Sequence, residues 1–191
     1  GVDTERLGIC LDLAHLACAW EEPAEALARL RAAGLPVVKV QVSAALEAAD
    51  PVAAAEVLRG YVEPRFLHQT RSAHGDAADD LDEALEREFK GPWRVHYHVP
   101  LHAEPAAPLT STVPVLRTAM RELLSDGHCD HFDVETYTWG VLPEEQRPRT
   151  DADVAAELVR PRRERPRLGA GDEVEDLRDV GRPERDGVPD R

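Results

Sequence analysis

Asp12 and His15 stand three residues apart where the apolar run Leu7-Gly8-Ile9-Cys10-Leu11 ends. A carboxylate and an imidazole at one strand end suit a divalent cation, the acid supplying charge and the neutral ring a borderline-soft nitrogen. The same two residues also fit a plainer role, with Asp12 capping the turn and His15 bonding to backbone. A second set follows in Trp93 to Val99, where Arg94, His96 and His98 alternate with Val95, Tyr97 and Val99. Period two puts the polar three on one face of a strand. His102 lies just beyond, in the loop after Pro100. A third set is His131, Asp133 and Glu135, which share a face opposite Phe132 and Val134. Glu135 comes at the strand end, where a carboxylate needs a cation or several donors to offset desolvation; a salt bridge from Arg94 would serve without metal. Lys39, Gln41 and Ser43 alternate along a further β-rich run, and only the Gln41 amide there is a candidate ligand.

Other residues carry weaker signals. Trp20 and Trp139 follow strand ends and could wall a pocket, although each also suits ordinary packing. His128-Cys129-Asp130-His131 is split between two faces by strand alternation. Cys10 and Cys18 read as small buried residues without a neighbouring base. No Gly-rich phosphate loop and no GxSxG are present, so no nucleotide cofactor is indicated.

The elements that must position these residues alternate. Leu7 to Leu11 reads as a strand covered on both faces. Glu21-Glu22-Pro23 opens a helix through Ala26, Leu27 and Leu30, with Gly34 as terminator. Leu35 to Val42 is a second strand, and Asp50-Pro51 starts a helix running to Gly60. Glu63-Pro64-Arg65-Phe66-Leu67-His68-Gln69-Thr70 has no clear period, and a loop of this length in a compact domain tends to be functional or mobile. Asp79-Asp80 caps a helix with Leu81, Leu85 and Phe89. Trp93 to Val99 is the third strand, Ser111-Thr112 and Pro114 open a helix with Leu116, Ala119, Met120, Leu123 and Leu124 on one stripe, and Cys129 to Thr136 is the fourth strand. Asp151 to Val159 is a last helical candidate. The expected fold is α/β, with one folded unit over 1–160.

Over 161–191 the composition changes. Of those 31 residues 17 are charged, eight are proline or glycine and none is aromatic, so the segment is expected to be a disordered tail. Arginine outnumbers lysine 21 to 2 in the whole chain, and a frameshifted tail is an alternative to a natural one.

Length and composition set the outer bounds. The 191 residues carry 42% hydrophobic but only 5% aromatic side chains, enough for one core built on alanine, leucine and valine. A formal charge of -14 would repel a phosphate backbone, which disfavours nucleic acid as a partner. No apolar run reaches a membrane span and the start lacks the order of a signal peptide. Three cysteines at scattered spacings make no disulfide framework, and a cytoplasmic location is expected. The opening glycine, followed so soon by a buried-looking run, suggests a fragment of a longer protein.

Cys10-Leu11-Asp12-Leu13-Ala14-His15, Lys39-Val40-Gln41-Val42-Ser43, Val95-His96-Tyr97-His98-Val99-Pro100 and Val134-Glu135-Thr136 together resemble the last four strands of a xylose-isomerase-like TIM barrel. More closely, Lys39 to Leu46, Glu63 to Thr70 and Glu135-Thr136-Tyr137-Thr138-Trp139 resemble the EboE family of bacterial metabolite-traffic proteins, over about residues 7 to 160. The resemblance implies the C-terminal half, about four βα units, of a (β/α)₈ barrel. It also implies a divalent metal (Zn, Mn or Mg) held by Asp12, His15 and Glu135; the family's sixth-strand histidine is absent, with Gln41 or a neighbour in its place, and His98 and His102 stand by position where they could offset the loss. A fourth-strand glutamate of that family has no counterpart here, so weak metal binding is expected. Glu135 and His98 are the expected catalytic groups, and His15, Gln41, His96 and Trp139 the expected contacts to a small polar metabolite such as a sugar phosphate. The implied reaction is isomerisation or epimerisation; a non-catalytic metabolite-binding or trafficking barrel is the alternative. The expected partner is the missing barrel half or a second copy, because four strands leave an open edge.

Overall fold

The computed structural model describes residues 7–87, 89–127, 129–144 and 147. The helix expected over 151–159 and the tail expected over 161–191 lie outside the described residues.

The chain is mixed α/β, and its sheet order follows from which runs are apolar enough to be covered. Strands β1 (Ile9–Asp12), β2 (Val37–Val42) and β8 (Phe132–Val134) form a parallel sheet in the order β1-β2-β8. Register sets Leu11 beside Val40 and Val40 beside Phe132, an apolar face that enters the core. Asp12, Gln41 and Asp133 are likewise register partners, and Cys10 pairs with Lys39, so the other face is polar. Lys39 Nζ donates to Asp133 Oδ2 there at 3.0 Å.

Helix ends fall where sequence chemistry puts them. Helix α2 (Pro23–Ala32) starts at a proline whose absent N–H costs nothing in the first turn, and it ends at Gly34 with φ +68°, a conformation that penalises any Cβ. Helix α5 (Val113–Asp126) stops at Gly127 in the same left-handed region. Thr112, expected to help open α5, turns its hydroxyl elsewhere and accepts from Ala45 N at 2.8 Å. Helix α1 (Leu13–Cys18) follows β1 without a loop, because Asp12 accepts from Ala14 N and His15 N and so caps it. The helix expected from Asp50 shortens to α3 (Ala55–Arg59), since the Asp50 carboxylate instead takes the N–H groups of Val52 and Ala53 in a turn. Helix α4 (Leu81–Leu85) is capped by Asp80.

The expected third strand departs from a continuous parallel order. Its first residues form β6 (Trp93–Val95), which joins an antiparallel sheet with β3 (Leu46–Ala48), β4 (Thr70–Ser72), β5 (Ala77–Ala78) and β7 (Thr110–Ser111) in the order β5-β4-β6-β3-β7. The next residues leave that ladder because side chains take their carbonyls: His68 meets His96 O, and the Thr138 hydroxyl donates to His98 O. Val99 N then donates to Ala44 O at 2.9 Å, which seats this segment beside the end of β2.

Val40, Leu46, Leu58, Leu81, Val95 and Tyr97 are fully buried in one apolar cluster. Leu46 pairs with Val95 on one side and Ser111 on the other, so little around it can collapse. Leu46→Ala is expected to cost about 2–5 kcal/mol of unfolding free energy in urea melts, with an unchanged far-ultraviolet spectrum. Among the described residues no helix is long and apolar enough to cross a membrane.

Candidate metal centre

Asp12 divides its two carboxylate oxygens between structure and chemistry. Oδ1 accepts from Ala14 N at 2.8 Å, His15 N at 3.1 Å and the Ser43 hydroxyl at 2.7 Å. Oδ2 lies 3.3 Å from His96 Nε2 and 3.1 Å from His98 Nε2, and those two nitrogens are 3.0 Å apart. Both readings of Asp12 therefore hold at once. His15 completes the cluster: its ring stacks on His96 at 3.7 Å, its Nδ1 is 3.7 Å from Asp12 Oδ2, and Asp12, His15 and His96 each offer a ligand atom within 4.8 Å of the others.

These separations fit donors that share an ion, and they equally fit hydrogen bonds among the three groups. With metal–ligand distances of about 2.0–2.1 Å, neighbouring donors lie about 3.3 Å apart in a tetrahedron and about 2.9 Å apart in an octahedron. His98 Nδ1 is 2.9 Å from the Glu135 carbonyl, which can only accept, so Nδ1 carries a proton. In a neutral ring Nε2 then carries a lone pair facing His96 Nε2 and the Asp12 carboxylate, and a proton on His96 Nε2, a second proton on His98 or a metal ion each fills the space among these three atoms.

Electrostatics keep Asp12 ionised and His96 neutral. Burial disfavours the charge of Asp12, but hydrogen bonds from His96 and His98, the charge of His98 and the Ser43 hydroxyl outweigh it and hold the carboxyl well below the usual carboxylate range. Burial lowers His96 below the usual imidazole value despite its bond to Asp12, leaving a neutral ring near pH 7. Burial also pushes the Tyr137 hydroxyl up, so it stays protonated; it points at His96 O from 3.5 Å, and its ring stands 4.5 Å from His98.

The group differs from the ligand set expected from the sequence. His96 and His98, assigned to substrate and catalysis, sit among the donors. Glu135 reaches the cluster through its carbonyl, while its carboxylate accepts from the Gln41 amide rather than from Arg94. Arg94 instead bonds Glu47 at 2.7 Å and covers the Trp20 ring at 3.8 Å. His102 stands outside the group: beyond Pro100 the strand alternation ends, and its ring stacks on Trp139 at 6.1 Å with Nδ1 buried and unpartnered. Trp139 packs against the core. Ser43 and Tyr137 belong to the centre although neither stood out; the position of Ser43 two residues after Gln41 on the polar face was the available signal. An open depression lined by Lys39, Asp130, His131 and Asp133 lies along β2 and β8 and includes none of these donors.

No family model, no curated protein and no solved structure matches this chain. The centre must therefore be interpreted from its own chemistry.

Cysteine is not part of it. Burial pushes the Cys18 thiol up to about 12, whereas Cys10 is exposed. Iodoacetamide at pH 8 is expected to alkylate Cys10 in the native chain and to spare Cys18, which peptide mass spectrometry would read directly.

Proposed function

We propose that this chain binds a divalent metal through Asp12 and His96 together with His98 or His15, and uses the centre to act on a small polar metabolite by proton transfer. The observation that carries the reading is the triangle of Asp12 Oδ2, His96 Nε2 and His98 Nε2, with edges of 3.0 to 3.3 Å. One carboxylate oxygen against two imidazole nitrogens favours zinc, manganese or ferrous iron over magnesium, which prefers oxygen donors. When bound, the ion supplies Lewis acidity toward a carbonyl or hydroxyl group. Glu135 is the base of the proposal: its carbonyl fixes His98, and its carboxylate, held by Gln41, is the group assigned to move the proton. Tyr137 keeps its proton and can donate a hydrogen bond. The resemblance to xylose-isomerase-like barrels supports an isomerase or epimerase type of chemistry and a C-terminal half-barrel arrangement for the parallel strands.

The test is metal content followed by proton exchange. Chain stripped with a chelator and dialysed against limiting zinc or manganese is expected to retain about one ion, a stoichiometry set by a single cluster of this size. The loaded chain, offered sugars and sugar phosphates in D₂O, is expected to exchange the hydrogen next to the carbonyl, and Glu135→Gln to stop that exchange while keeping the metal. Retained metal with no exchange on any substrate would favour the non-catalytic binding protein, and no retained metal would sink the reading.

A further inference from the structure

The segment from Glu63 to Thr70 shows no periodicity, yet two of the candidate donors, His15 and His96, are held by it. Gln69 uses both of its oxygens. Its carbonyl accepts from His96 N at 2.8 Å, and its side-chain Oε1 lies 3.1 Å from His15 Nε2. An amide oxygen only accepts, so His15 carries its proton on Nε2 and keeps the Nδ1 lone pair for the cluster. His68 grips His96 from the other end of the peptide, with Nδ1 3.3 Å from His96 O. The side chain of His68 is 0% exposed, and its Nε2 is 2.9 Å from Glu63 Oε1, itself on a side chain only 11% exposed. Both ring nitrogens of His68 thus lie against oxygen atoms, His96 O and Glu63 Oε1, which holds the ring in place. Glu63 also takes the N–H groups of Arg65 and Phe66, at 2.7 and 2.9 Å, and Asp80 Oδ1 takes His68 N at 3.0 Å, which fixes the segment at both ends.

We propose that this segment is a clamp for the metal centre: Gln69 is a positioning residue that fixes the ring of His15, and the Glu63–His68 pair fixes the backbone that carries His96. The proposal rests on the metal reading above and names the residues that preorganise its donors. Partners on the distal nitrogen of a ligating histidine orient the ring and raise its basicity, and their loss typically lowers metal affinity 10- to 100-fold.

Gln69 is only half-buried, so its variants test the clamp without emptying the core. In the metal-free chain the His15 Nε2–H is expected as a slowly exchanging imidazole proton by NMR, lost in Gln69→Leu and present again in Gln69→Glu, which restores an acceptor oxygen. Cobalt(II) titration followed by visible absorption is expected to give a dissociation constant roughly 10- to 100-fold higher in Gln69→Leu and near the starting value in Gln69→Glu. Equal cobalt affinity in the starting chain and Gln69→Leu would overturn the proposal, as would failure of Gln69→Glu to recover it. If the starting chain takes up no cobalt, the metal reading falls and the imidazole proton alone decides the clamp: its loss in Gln69→Leu upholds it, and its persistence refutes it.

Discussion

Asp12→Ala is expected to abolish metal retention and to lower unfolding stability by about 3–5 kcal/mol, the cost of stripping one partner from a buried charged network. Five groups lose a partner together: the two N–H groups that start α1, the Ser43 hydroxyl, and the rings of His96 and His98. Asp12→Asn separates the two roles. An asparagine oxygen still caps the helix and accepts from Ser43, while its amide nitrogen replaces the oxygen that faces the imidazoles. Asn should therefore recover about 1 kcal/mol of the cap relative to Ala and still hold no metal. Acid titration gives an independent check on sign. The folded-state pKa of Asp12 is lowered, so its stabilisation is complete above the unfolded value of about 3.9 and is lost as pH falls below it toward the folded value. Asp12→Asn should lack that part of the acid limb. Urea melts at a series of pH values read both effects, and an Ala variant within about 1 kcal/mol of the starting chain, the scale of an ordinary surface change, would show that the network carries no such energy.

Long elements were legible from the residues because burial leaves a period and caps leave signatures. Leu11, Val40 and Phe132 share the covered face of the parallel sheet, as the apolar runs require, and the ends of α2 and α5 fall at Pro23, Gly34, Pro114 and Gly127. Strands β3, β4, β5 and β7 were not legible, since two or three residues show no period and their partners are distant in sequence. Alternation put His96 and His98 together, as their approach to Asp12 requires, whereas His102, assigned by its position in the loop after Pro100, stacks on Trp139 instead. The clamp was hidden for a different reason. Glu63, His68 and Gln69 act through hydrogen bonds to a backbone and a ring far away in sequence, and no spacing rule encodes such pairs.

Zinc is expected to stabilise the chain, and the pattern of variants that lose this effect identifies the ligands. At free zinc near 100 times the dissociation constant, binding to the folded state alone adds about 2.7 kcal/mol, or roughly 5–10 °C in melting temperature for a body of this size. A donor set of Asp12, His96 and His98 predicts that Asp12→Asn, His96→Ala and His98→Ala each lose most of the rise. The set expected from sequence, Asp12, His15, Glu135 and His102, predicts instead that Glu135→Gln and His102→Ala lose it. The geometry favours the first: His102 packs on Trp139, the Glu135 carboxylate is occupied by Gln41, and the only mutual approach of 3.3 Å or less described among an acid and two histidines is that of Asp12, His96 and His98. His15 should give an intermediate result, since it is the more exposed donor and its Nδ1 stands 3.7 Å from Asp12. Each variant is compared with its own metal-free melt, because His98, 1% exposed, also fills core space and its loss lowers the baseline before any metal is added. A full zinc-dependent rise in both His96→Ala and His98→Ala would remove the cluster as the metal centre.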